Sequence, residues 1–319
     1  MAIPIIHQTD LFRPHNDPDD HWDLACVYAL AKAGVFDLKG IIIDYPPPHH
    51  RGDPDVLAVA QMNYLTGMHV PVGIGSAPAA VRSERMQGTP PHEGNGVRMI
   101  LSTLENSSSP VMITIAGSCR DVAQAASQAP QLFRKKCGGI YLNAGTGSRH
   151  VDAKAELEYN VRLDPPAFAA IFKIPCPIYW IPCFEVITNQ WQVSEFGSWY
   201  DFLQADILLQ LSDEVQNYFA YALGKVQDSN WLDYLQQAKD DMLLARQGKV
   251  RRNMWCTGGF FHAAGKSITS KGEIQPRDHA DDDQVFAFDP ISVQCVGIML
   301  CGLCSRFSMK WLPAAACRH

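Results

Sequence analysis

Residues 3–23 read Ile3-Pro4-Ile5-Ile6-His7-Gln8-Thr9-Asp10-Leu11-Phe12-Arg13-Pro14-His15-Asn16-Asp17-Pro18-Asp19-Asp20-His21-Trp22-Asp23, an apolar run that ends in an acidic loop. The run Ile3–His7 has the length and character of a buried strand. A helical pattern follows over Asp23–Ala33, and a second apolar run covers Leu38–Ile43. Strand, helix and strand at this spacing argue for a parallel pair. The carboxylates between them repel one another unless a cation sits among them, and hard divalent ions such as calcium or magnesium take oxygen ligands in this way. Strand ends are also where α/β sheets place their ligands.

The same alternation continues outward. Further strands are expected at Val70–Ile74, Val111–Ala116, Gly139–Asn143 and Pro177–Pro182, with helices at Pro54–Leu65, Val97–Leu104, Asp121–Ala129 and Pro165–Ile171. Several strands carry unbroken Ile/Val runs, as strands covered on both faces do. The expected fold is α/β: a mostly parallel open sheet with helices on both faces. Residues 184–249 are rich in Trp, Tyr and Gln and read as a helical insertion or cap over the sheet. Thr257–Ala280 reads as loop, and Asp289–Met299 as a helix with Asp289 at its cap and Pro290 in its first turn. One domain over residues 1–319, with the insertion inside it, is the simplest organisation.

The chain is 47% hydrophobic and 19% charged, ordinary globular composition. A formal charge of −6, with no Lys/Arg block beyond short runs at 134–136 and 249–252, argues against a nucleic-acid partner. No stretch approaches the ~18–20 apolar residues of a membrane span, and the N-terminus lacks the features of a signal peptide. Ten scattered cysteines, mostly in apolar contexts, suggest reduced thiols in a cytoplasmic protein. Cys301-Gly302-Leu303-Cys304 is a lone C-x-x-C without the second pair that a zinc site needs.

Gln8-Thr9-Asp10 followed by Asn16-Asp17-Pro18-Asp19-Asp20 resembles the D-x-D…D-D signature of the inosine/uridine-preferring nucleoside hydrolases. Gly117-Ser118-Cys119-Arg120-Asp121-Val122-Ala123 resembles that family's G-x-L-T-N-I-A turn. Glu158-Tyr159-Asn160-Val161-Arg162-Leu163-Asp164-Pro165 is similar to E-F-N-x-x-x-D-P, and Asp289-Pro290-Ile291-Ser292-Val293 to the late D-P-L-A-V. His92-Glu93-Gly94-Asn95-Gly96 is weakly similar to the H-G-x-x-G loop. The resemblance implies a hydrolase of the N-glycosidic bond of a ribonucleoside or related N-ribosyl compound, working in nucleoside salvage with one calcium ion. It implies Asp10, Asp20, Asp289 and the main-chain carbonyl of Arg120 as metal ligands, with Asp10 also the general base. It assigns Asp19, Glu158 and Asn160 to the ribose hydroxyls, and admits a homo-oligomer, dimer or tetramer.

The chain departs from the pattern in several places. Gln8 stands where the first aspartate is expected, and extra residues between Asp10 and Asp19 leave Asp17 and Asp23 as rivals to Asp19 and Asp20. Residues 41–47 lack the asparagine that follows the second strand, Asn143 replaces the methionine beneath the ribose, and Phe288 replaces a histidine near the leaving base. His262 or His279 is then the candidate proton donor to that base. Aromatic faces suit planar rings, which makes Trp191, Trp199 and Trp255 candidates for stacking on it. Two other readings stand beside this one. A non-catalytic nucleoside or ribose binder would keep the pocket alone. A two-metal phosphoesterase would draw on His15, His21, His49 and His50 and take nitrogen-liganded transition metals.

Overall fold

A computed structural model of the chain describes residues 1–13, 18–47, 53–78, 95–148, 155–193, 200–268, 274–277, 286–288, 295–297, 307–309 and 312–315. Its frame is six parallel strands, β1 (Ile3–Thr9), β2 (Phe36–Ile43), β3 (Val72–Ile74), β4 (Val111–Ala116), β5 (Cys137–Asn143) and β6 (Ile178–Ile181). They lie in the order β3-β2-β1-β4-β5-β6. The chain first winds away from β1 on one side, then returns to build the other, so the winding reverses between β1 and β4. In open α/β sheets a ligand crevice forms outside the strand ends at such a switch point. Asp10 follows β1 and Gly117 follows β4, which places both at that crevice.

The strands form because their apolar runs find cover on both faces. In β2, Ile41 and Ile43 enter one core and Ile42 the opposite one, all fully buried. The first core takes Trp22, Leu24, Val27 and Tyr28 from α1 (Asp19–Lys32) and Val59 and Met62 from α2 (Val56–Thr66). The second takes Ile100 and Leu104 from α3 (Asn95–Asn106), Val122 and Ala125 from α4 (Arg120–Gln128), Phe133 from α5 (Pro130–Lys136) and, past α6 (Tyr159–Leu163), Ile171 from α7 (Pro165–Ile171). Burying each such side chain is worth roughly 1.5–3 kcal/mol. Local signals set the helix ends: Asp55 caps α2 through Ala58 N, and Asp164 caps α7 through Ala167 N with Pro165 at its start.

Three expectations need correction. Residues 184–249 are not helical throughout. They open with an antiparallel hairpin, β7 (Phe184–Ile187) and β8 (Gln190–Val193), then β9 (Tyr200–Leu203), before α8 (Gln204–Leu208), α9 (Asp213–Leu223), α10 (Trp231–Gln236) and α11 (Asp241–Gly248). β9 pairs with β10 (Arg251–Met254), and this unit packs on α1: Trp22 stacks on Phe219 at 3.9 Å and donates to Gln204 Oε1 at 3.1 Å. Second, Thr257–Ala280 opens with α12 (Thr257–Ala263). The pair Gly258-Gly259 reads as loop in sequence, yet a Cβ on Gly259 would stand 3.0 Å from Ile181 Cδ1, so the glycine lets this helix approach the sheet closely. Third, within Asp289–Met299 the described residues Cys295–Gly297 form a strand, not a helix. They are β12, paired antiparallel with β11 (Phe286–Phe288), which itself pairs antiparallel with β6. Asp289 and the Cys301–Cys304 motif lie outside the described residues.

Candidate active site

Acidic residues follow the C-terminal ends of β1 and β2 and open α1: Asp10, Asp44, and Asp19 with Asp20. Asp10 leaves β1, and Asp19 and Asp20 occupy the first turn of α1, where the exposed helix N–H groups favour negative charge. Asp19, Asp20 and Asp23 are all buried. Thr9 Oγ1 donates to Asp20 Oδ1 at 3.1 Å, tying the strand end to the helix start, and Thr257 Oγ1 donates to Asp23 Oδ1 at 2.8 Å. Asp23 is thus tied to the start of α12 as Asp20 is tied to the end of β1. Asp17 lies outside the described residues.

Asp44, one residue past β2, is the main feature that the sequence reading missed. Its carboxylate accepts from Gln8 Nε2 at 2.7 Å and from Ser118 N, while Gln8 Nε2 also donates to the Ser118 carbonyl. A Cβ at Gly117 would strike Asp44 Oδ2 and stand 3.1 Å from Asp10 Cβ, so only glycine lets these two acids close around the turn. Burial pushes the Asp44 carboxyl up to about 7, against the opposing pull of the Ser118 N–H and the Gln8 amide. The signal was present in sequence: Asp44 ends an apolar run as Asp10 does. Gln8 thus supplies an amide near the end of β1 and Asp44 an acid just past the end of β2.

Other candidates find more structural employment than expected. Glu158, buried, caps α6 and accepts from Gly145 N at 2.7 Å, Asn160 N at 3.0 Å and Val161 N at 3.2 Å. Burial raises its carboxyl while those three N–H groups oppose the rise. Asn143 does not lie open as a ribose floor. Its amide donates to the carbonyls of Ile181 and Trp255, each at 3.2 Å, and accepts from Cys256 Sγ at 3.0 Å. Asn160 Nδ2 donates to the Asn143 carbonyl at 3.0 Å, so the two residues brace the end of β5. The Arg120 guanidinium bonds Asp164, Ser76 O and Leu163 O, which fixes the turn whose carbonyl was the expected ligand.

His262 lies in the sheet's packing instead of at the mouth of the site. Its Nδ1 pairs with Tyr141 Oη at 3.0 Å, its ring lies 4.7 Å from Tyr179, and burial with the charge of Arg277 pushes it down to about 4. Such an imidazole is neutral near pH 7 and carries no acidic proton to give. His21 is likewise buried and bonds the Asp55 cap at 3.3 Å, which withdraws it from a phosphoesterase centre. Trp255 is buried with its ring 5.6 Å from Phe184, and Trp191 stands in β8 opposite Val186. His279, Trp199, His15, His49 and His50 lie outside the described residues.

Among the described residues no group of three or more His, Cys, Asp or Glu side chains is placed to hold a metal ion. No described helix is long and apolar enough to cross a membrane. The six described cysteine side chains are free thiols.

No family model and no curated protein matches the chain. Among solved structures, it is similar to an inosine-uridine preferring nucleoside hydrolase from Bacillus anthracis, at 13% identity and TM-score 0.46, over 88% of this chain and 92% of that one. A purine-preferring ribonucleoside hydrolase from Gardnerella vaginalis gives 17% identity and TM-score 0.44, over 86% and 88% of the two chains. A plant nucleoside hydrolase gives 15% identity and TM-score 0.44, over 84% and 81%. At such identities any statement about chemistry must come from the residues of this chain.

Proposed function

We propose that the chain is a hydrolase of the N-glycosidic bond of a ribonucleoside or related N-ribosyl compound, with Asp10 as its general base. The reading is supported by acids at the strand ends beside the switch point of a parallel sheet: Asp10 and Asp44 close around Gly117, and Thr9 bonds Asp20 in the first turn of α1. Cleavage of a C–N glycosidic bond passes through an oxocarbenium-like sugar. Fixed carboxylates in a water-poor site stabilise that charge. Asp10 takes the proton of the attacking water, and Asp20, steadied by Thr9, keeps the opposite side of the site negative.

Asp10, Asp20, the Arg120 carbonyl and Asp289 would hold a calcium ion. When bound, the ion supplies a hard positive centre that acidifies water and orients ribose hydroxyls. Asp19 and the remaining lone pairs of Glu158 receive those hydroxyls, and the Asn143–Asn160 brace keeps Glu158 and the end of β5 in register. The free thiols suit a cytoplasmic setting. The test is release of free ribose from a panel of N-ribosyl compounds by the full chain in calcium buffer. Ribose that appears with calcium and stops with a chelator supports the proposal. Binding without turnover across the panel favours the non-catalytic binder.

A further inference from the structure

A cavity of about 450 Å³ opens beside the turn that holds Asp44, and its walls carry arginine instead of carboxylate. Tyr45, Ser118, Arg120, Tyr159 and Arg162 line it, the rest being proline and leucine, with no carboxylate among the described lining residues. The chain has a formal charge of −6, and the Asp44 carboxylate stands against Ser118. Ser118 is the shared wall: its N–H donates to Asp44, while the residue also faces this cavity. A ligand that spans Ser118 would therefore meet Asp44 on one side and the arginines on the other.

The two arginines differ in their freedom. Arg120 is 5% exposed and locked, with Nε on Asp164 at 3.0 Å and its other nitrogens on the carbonyls of Ser76 at 2.8 Å and Leu163 at 3.1 Å. Its positive field is fixed and partly offset by Asp164. Arg162 is exposed, lies 5.5 Å over the Tyr159 ring, and makes no ion pair among the described residues. A guanidinium laid on an aromatic face keeps its N–H edge available, and that edge matches phosphate oxygens two at a time. The size also fits, since small-ligand pockets run from about 300 to 1,000 Å³.

We propose that this cavity takes the phosphate of a phosphorylated N-ribosyl compound, so that the preferred substrate is a nucleotide and not a neutral nucleoside. The assignment rests on the N-ribosyl reading of the Asp10 centre. The experiment is calorimetric titration of the full chain, with calcium present, using adenosine, adenosine 5′-monophosphate and inorganic phosphate, repeated with Arg162→Ala and Arg162→Lys. The monophosphate should bind at least 10-fold tighter than adenosine. Arg162→Ala should bring the two affinities together, Arg162→Lys should keep part of the advantage, and added salt should shrink it. Equal affinity for both compounds in the unmodified chain overturns the assignment and leaves the N-ribosyl reading intact. An advantage that survives Arg162→Ala also overturns it. Binding of inorganic phosphate through Arg162 without binding of either ribosyl compound overturns the N-ribosyl reading, and with it the substrate named here.

Discussion

Gln8 Nε2 donates to Asp44 Oδ1 at 2.7 Å, across the parallel pair β1 and β2, and so links the two strand ends that flank the acidic centre. The Asp44→Asn variant should disturb this link, because an amide nitrogen would then confront either Gln8 Nε2 or Ser118 N. A buried donor left without an acceptor costs ~1–3 kcal/mol. Gln8→Glu with Asp44→Asn should recover only the contact between the two side chains, because the glutamate has no N–H to give the Ser118 carbonyl. Urea denaturation of the two single variants and the double variant gives the coupling directly, expected at ~1–3 kcal/mol and favourable to the exchanged pair. Additive losses would show that the contact has no energetic meaning.

Glu158 collects three backbone N–H groups, and its glutamine variant can offer only one oxygen to them. Glu158→Gln should lower stability by ~1–3 kcal/mol, as loss of a cap and a satisfied acceptor does. Thermal denaturation measures the loss. Ribose release should show a raised KM, since Glu158 also faces the sugar in the proposed site.

The buried imidazole of His262 gives a pH signature with a definite sign. Its folded pKa is pushed down to about 4 from an ordinary 6.5, so the unfolded chain binds the proton first as pH falls. Its contribution to stability is whole above pH 6.5 and is lost between 6.5 and about 4. Asp44 runs the other way: burial lifts its folded pKa from 3.8 to about 7, so its contribution falls as pH rises through that range. The His262→Phe variant should keep the packing against Tyr179, lose some stability at pH 7 through the orphaned Tyr141 hydroxyl, and show a flatter acid limb. Denaturation midpoints at pH 7 and pH 5 test this; an unchanged slope would mean the imidazole titrates normally in the folded state.

Calcium should stabilise the folded chain by mass action, by ~2.7 kcal/mol at a hundred times its dissociation constant. Thermal scans with calcium, with magnesium and with chelator read this out. The Asp20→Asn variant should lose most of the calcium shift while keeping its melting temperature in chelator within a few degrees. A zinc or manganese shift larger than that of calcium would point to nitrogen ligands and a different centre.

Much of the fold was legible because parallel strands buried on both faces leave unbroken runs, as at Ile41-Ile42-Ile43. The winding reversal at β1 was not legible, since strand order depends on contacts far apart in sequence. The helix α12 was missed because Gly258-Gly259 carries loop chemistry, while the tight approach to Ile181 that calls for glycine is a tertiary fact. Charge crowding over residues 10–23 marks an acidic loop in the sequence, but not which of its carboxylates do the chemistry. The roles of Asn143, Glu158 and His262 could not be read, because each is decided by partners on other elements: Trp255 and Ile181, Gly145, and Tyr141. Asp44 fell between the two cases, visible as a carboxylate at a strand end yet given meaning only by Gln8 and Ser118.

The most direct test of the central claim is ribose release by the unmodified chain and by Asp10→Asn, at saturating N-ribosyl substrate with calcium present. Turnover should fall by at least ~10²–10⁴ in the variant, the range of a positioned general base, while substrate still binds and the fold is kept. Turnover that survives Asp10→Asn undiminished would contradict that claim.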